Sequence, residues 1–133
     1  LPAPHFKREF LKYNRNPYIL ALVADQHPSS PENAYWLPFF GKLTPFAQGP
    51  EKGARANETA VLFGHFFPTK RGHYGFTCKL ITRNAAILPE GEITRQYVAF
   101  LEESIRLYPA NYLWSHRRWK VEYNEAIHPK RIG

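Results

Sequence analysis

The run YILALVA, residues 18–24, is continuously apolar and is closed by Asp25. Its length, its flanks and its lack of polar alternation suit a strand buried on both faces, the kind found inside an α/β sheet. Upstream, residues 6–13 (FKREFLKY) place Phe6, Phe10, Leu11 and Tyr13 roughly on one face among charges. That pattern predicts a short amphipathic helix, stopped by Asn14-Arg15-Asn16-Pro17. Downstream, residues 26–33 (QHPSSPEN) are turn formers and predict a loop.

Further along, residues 35–41 (YWLPFFG) are aromatic and interrupted by Pro38, which predicts a packed extended segment more than a regular strand. Residues 49–57 (GPEKGARAN) read as a helix, with Pro50 at the start, Glu51 in the first turn and Arg55 later. Residues 59–69 and 73–82 predict two strands around the basic turn Lys70-Arg71-Gly72. In the second strand Tyr74, Phe76, Cys78 and Leu80 alternate with Gly75, Thr77, Lys79 and Ile81, so one face is apolar. The clearest helix covers residues 93–108, where Ile93, Tyr97, Phe100, Leu101, Ile105 and Tyr108 form a stripe that Pro109 ends. The order strand, helix, two strands, helix predicts an α/β fold: a mixed sheet with flanking helices, in one domain over residues 1–133.

Composition agrees with one folded domain. The 133 residues are 44% hydrophobic and 16% aromatic, which excludes a disordered chain. A single cysteine excludes an internal disulfide framework and a thiolate zinc cluster. Lys and Arg number 18 against 11 Asp and Glu, a net charge of +7 that favours an anionic partner. The sequence has no Met and begins Leu1-Pro2-Ala3-Pro4, so a piece of something longer, or a processed product, is expected.

Three places could carry chemistry. Asp25-Gln26 lies at the end of the predicted buried strand, where ligands collect in open α/β sheets; Asp25 is also the only aspartate, and capping the loop is its ordinary alternative. As a cap, Asp25 would accept backbone N–H bonds and order the loop that follows. The stretch from Tyr112 to Lys120 sets His116, Arg117, Arg118 and Lys120 among Trp114 and Trp119, a pattern suited to binding an anion. His27 and Glu32 are five residues apart, the spacing of a His–acid pair that activates a hydroxyl as general base. His65 and His73 flank the predicted hairpin and could face each other, without a carboxylate companion for a metal site. Cys78, with no histidine nearby in sequence, reads as a small structural hydrophobe.

Taken together, these pieces resemble one family. Ala24-Asp25-Gln26, Trp36-Leu37-Pro38-Phe39-Phe40-Gly41, Thr44-Pro45, the stretch from Gly49 to Ala56 and the stretch from Tyr112 to Lys120 follow the order seen in bacterial lipid A biosynthesis acyltransferases of the lauroyl and myristoyl type. The likeness is to the C-terminal portion, in the style of Bacteroidetes members, and runs from about residue 18 to residue 120. It implies a glycerolipid-acyltransferase-like α/β fold and an enzyme at the cytoplasmic face of the inner membrane. That enzyme would move a fatty acyl chain from acyl carrier protein to a lipid A precursor, with no metal or organic cofactor.

In that family the His-x4-Asp/Glu dyad lies upstream of the Asp-Gln strand, after a membrane-anchoring helix. His27 and Glu32 imitate the dyad's spacing but follow that strand. The resemblance therefore implies a fragment that keeps substrate-binding residues (Asp25, Gln26, Lys52, Arg55, His116, Arg117, Arg118 and Lys120) and lacks the base. The expected partners are acyl carrier protein, the lipid A precursor and an anionic membrane surface, with self-association possible through uncovered apolar faces. A basic nucleic-acid-binding module or a non-catalytic partner-binding domain is the alternative, but the aromatics concentrate in apolar runs and no nucleic-acid motif is visible, so nucleic acid is not expected.

Overall fold

The computed structural model describes residues 16–128 and 130–132. Strands β1 (Tyr35–Phe39) and β2 (Lys42–Phe46) form one antiparallel hairpin, followed by helix α1 (Gly49–Ala56). Strands β3 (Val61–Lys70) and β4 (His73–Thr82) form a second, longer hairpin, and helix α2 (Glu92–Leu107) follows it. The class is α/β, with two small antiparallel sheets and two helices among the described residues. A parallel bridge between Trp36 and Arg131 adds the C-terminal tail to the free side of β1.

Residues 35–39 form a regular strand despite Pro38, and the register explains why. Phe40-Gly41 is a two-residue turn, so Phe39 and Lys42 form a hydrogen-bonded pair and Pro38–Leu43 and Trp36–Pro45 do not. Both prolines therefore fall where no ladder N–H is needed. On that same outward side Trp36 N–H donates to the Lys130 carbonyl at 2.9 Å, and Ile132 N–H to the Trp36 carbonyl at 2.9 Å. The turn holds Phe40 at φ +48° and Gly41 at +78°, a tight geometry that glycine takes freely and phenylalanine does not. Glu102 of α2 secures it by accepting the Phe40 N–H at 2.7 Å, while the Arg106 guanidinium lies 5.1 Å from the Phe40 ring centre.

Helix α2 packs between the two hairpins. Its Val98 and Ile105 join Tyr35, Leu37, Phe39 and Phe46 in one core cluster, while its Ile93 joins Phe63 and Ala85 in another. Tyr97 belongs to both, edge-on to Phe46 at 6.4 Å and to Phe63 at 5.3 Å. The N-terminus of α2 has no cap of its own. The buried Glu51 carboxylate of α1 supplies one, accepting from Gly91 N–H at 2.5 Å, Thr94 N–H at 2.9 Å and the Thr94 hydroxyl at 2.6 Å.

Two further expectations change here. Residues 18–24 are not a buried strand: they carry no strand pairing, and Ile19 is 99% and Val23 84% exposed. A two-faced strand needs ladder partners and cover on both sides, and among the described residues nothing supplies them. Cys78 is exposed rather than a buried filler, because the apolar face of β4 points away from α2. The expected helix over residues 6–13 lies outside the described residues.

Candidate functional site

After α2, a 3-10 turn (Pro109–Asn111) leads into an irregular segment that wraps over the β1–β2 hairpin. Trp119 stacks on Phe39 at 5.8 Å, and its indole N–H donates to Thr44 Oγ1 at 2.9 Å. Arg118 is 1% exposed, with its guanidinium carbon 4.3 Å from the Phe46 ring centre and 5.8 Å from that of Phe39. Its Nη2 donates to the Pro45 carbonyl at 2.7 Å, but its Nε and Nη1 have no partner. Burial pulls its pKa down to about 10, against the influence of Tyr112, Asp25 and Tyr97, so it stays cationic at neutral pH. Adjacent residues point apart here: Arg117 is exposed.

The strand-end pair comes to the same place from the other end of the chain. Asp25 acts electrostatically on Arg118, Tyr97 and Tyr112, and its Oδ1 is buried without a hydrogen bond. Oδ1 therefore takes none of the backbone N–H bonds expected of a loop cap. The carboxylate is close enough to the basic segment to act on Arg118 through its charge, without an ion pair between them. The His27 N–H donates to His116 Nε2 at 3.4 Å, which assigns the proton of a neutral His116 to Nδ1. That Nδ1 and both His27 ring nitrogens are buried without partners. Burial lowers the His27 pKa; the Pro28 backbone opposes this, and the charges of Lys120, Arg118 and His116 add to the lowering.

Buried polar atoms are almost always paired, by protein or by water. Here Asp25 Oδ1, both His27 nitrogens, His116 Nδ1, and Arg118 Nε and Nη1 are all unsatisfied in one neighbourhood. One carboxylate, one buried guanidinium and two imidazoles can jointly hold a polar ligand that carries both an anion and a hydroxyl.

The other candidates fall elsewhere. Gln26 and Lys120 are exposed on the rim of this cluster. Glu32 lies in an exposed 3-10 turn (Pro31–Asn33), and no hydrogen bond or ion pair joins it to His27. Lys52 and Arg55 line a separate open cleft of about 360 Å³ with Tyr35, Ala56 and Glu90. Arg55 is engaged there in holding the Leu88 and Ala85 carbonyls. In the same cleft, the Tyr35 hydroxyl donates to Glu90 Oε1 at 2.7 Å, which with Lys130 holds the Glu90 carboxyl below its ordinary value. His65 and His73 do not face each other: His65 is opposite Thr77 and meets the Ser104 hydroxyl at 3.0 Å, while His73 pairs with Lys70. Among the described residues no group of three or more His, Cys, Asp and Glu could hold a metal. Sequence reading missed Tyr97 and Tyr112 as neighbours of the site; a tyrosine within an apolar stripe was the available signal, since its hydroxyl needs a polar contact.

The buried cation, the carboxylate and the two histidines thus lie in one region of an α/β chain. The family model for bacterial lipid A biosynthesis acyltransferases matches residues 5–121, a span that takes in the whole cluster. The chain belongs to that family, and its class of chemistry is acyl transfer in lipid A biosynthesis. No curated protein and no solved structure matches the chain.

Proposed function

We propose that the cluster of Asp25, His27, His116 and Arg118, with Gln26, Arg117 and Lys120 at its rim, binds the polar head of a lipid A precursor. The reaction served is transfer of a fatty acyl chain from acyl carrier protein at the cytoplasmic face of the inner membrane. The observation carrying this reading is the convergence of unsatisfied buried polar atoms within a chain of this family. In the reaction a general base takes the proton of the acceptor hydroxyl, the oxygen attacks the thioester carbonyl, and the oxyanion collapses. A C–O bond forms, the C–S bond breaks, and the proton passes to the departing carrier thiolate. His27 and Glu32 are not joined, so in this reading the base comes from outside the described residues and the chain is part of a longer enzyme.

The test has two arms. Titration with a phosphorylated, hydroxyacylated lipid A precursor, read by tryptophan fluorescence, should saturate. Arg118→Lys, which keeps the charge and loses the planar fork, should weaken binding by roughly tenfold, whereas Arg117→Lys should stay within about twofold. Equal effects at both positions would make the cluster structural. Incubation of the chain with acylated carrier protein and precursor should give no turnover, and turnover abolished by His27→Ala would place the base at His27.

A further inference from the structure

The β3–β4 hairpin offers a second surface that the polar cluster does not use. Leu62, Gly64, Phe66 and Pro68 of β3 pair across the ladder with Leu80, Cys78, Phe76 and Tyr74 of β4, so these eight residues share one face. The opposite face carries Phe63, His65 and Phe67, which contact Tyr97, Phe100 and Tyr108. The outer face is open: Tyr74 is 72%, Phe66 67%, and Phe76 and Leu62 each 57% exposed. It is also rigidly arranged. The Phe76 ring lies over Gly64, where an added Cβ would come within 2.7 Å of it, and Phe66 and Phe76 meet at 4.7 Å.

Charge selects among possible occupants. From Thr59 to Pro89 the sequence has no Asp or Glu, yet it carries Lys70, Arg71, Lys79 and Arg83. All four are exposed, and none forms an ion pair with a described acidic residue; Lys79, paired with Phe63, lies on the opposite face, whereas Lys70 and Arg71 flank the tip. A protein partner would have to desolvate or pair these cations, whereas an anionic lipid surface accepts aromatic side chains at the acyl boundary and cations at the headgroups together.

We propose that the outer face of β3–β4 docks on an anionic bilayer, with Phe66, Tyr74 and Phe76 entering the interface and Lys70 and Arg71 of the tip on the headgroups. The proposal deepens the lipid-substrate reading by naming the surface that meets the membrane, and its readout needs neither acyl transfer nor the polar cluster.

The 133-residue chain, labelled at its single Cys78 with an environment-sensitive fluorophore, is mixed with phosphatidylcholine vesicles with or without phosphatidylglycerol. Co-sedimentation and a blue shift should occur with the anionic vesicles and weaken with salt. Lys70→Glu with Arg71→Glu should reduce binding at least tenfold, since each cation near such a surface contributes about fivefold. Phe66→Ser with Phe76→Ser should reduce it roughly tenfold or more. Leu62→Ser with Leu80→Ser gives a second apolar pair should the first disturb folding, as checked by circular dichroism. Lys42→Glu, a charge reversal in the other hairpin and away from this face, should leave vesicle binding within about twofold. Vesicle binding indifferent to both apolar pairs, binding equally strong to neutral vesicles, or a blue shift that follows protein concentration without lipid would each overturn the proposal. The last of these would assign the face to a second copy of the chain.

Discussion

β1–β2 and β3–β4 are both antiparallel hairpins closed by a glycine-containing turn, and both carry aromatic residues along their length. In the first, Tyr35, Trp36, Leu37, Phe39, Thr44, Pro45 and Phe46 are all buried; in the second, Phe63 and Thr82 are the buried residues. Apolarity does not separate them, and cover does. The first hairpin has α2 on one side and the segment bearing Arg118 and Trp119 on another, with the C-terminal tail along its edge. The second has α2 on one face only. Cover from several sides creates a dry place where unpaired polar atoms can await a ligand, and cover from one side leaves an apolar surface to be met from outside.

The largest effect should come from emptying the better-covered hairpin. Trp36→Ala removes a fully buried indole and its hydrogen bond to the Pro31 carbonyl, and should cost about 3–5 kcal/mol in urea unfolding. A cost below that of an ordinary surface change would mean that this hairpin is not the stability centre. Next comes the strut between α1 and α2. Glu51→Ala leaves Gly91 N–H, Thr94 N–H and the Thr94 hydroxyl without their acceptor, and should cost roughly 2–3 kcal/mol. Thermal melts comparing it with Glu51→Gln, which keeps one acceptor oxygen, should show the smaller loss for Gln.

A smaller effect should appear on acidification. The lowered His27 pKa means that, between its depressed value and 6.5, the unfolded chain binds a proton that the fold refuses. Stability is therefore fully present above that window and falls as pH drops through it. His27→Gln should flatten this part of the stability–pH curve, and an unchanged slope would show that the ring is not held neutral by its surroundings. The smallest effect belongs to the open hairpin: Phe76→Ser should change stability by no more than about 0.5 kcal/mol. A loss as large as that of Trp36→Ala would erase the contrast between the two hairpins.

The sequence by itself settled those elements whose cause is local. The two strand runs of β3 and β4, the alternation in β4, the basic turn between them, the apolar stripe of α2 and its stop before Pro109 depend on neighbours within a few residues, and each is found within a residue or two of its expected position. The segment with Arg117 and Arg118 could also be singled out, because two cations between tryptophans are unusual anywhere. What lay beyond the sequence was whether an apolar run is covered. YILALVA has every local mark of a buried strand, but burial is a property of partners, and among the described residues it has none across a ladder. Tertiary structure alone decided that Arg118 turns inward while Arg117 does not, that the charge of Asp25 reaches it from more than ninety positions away, and that Glu51 caps a helix forty residues on. Such pairings are set by how hairpins and helices pack, and a polar atom's fate, satisfied or left waiting, follows from that packing.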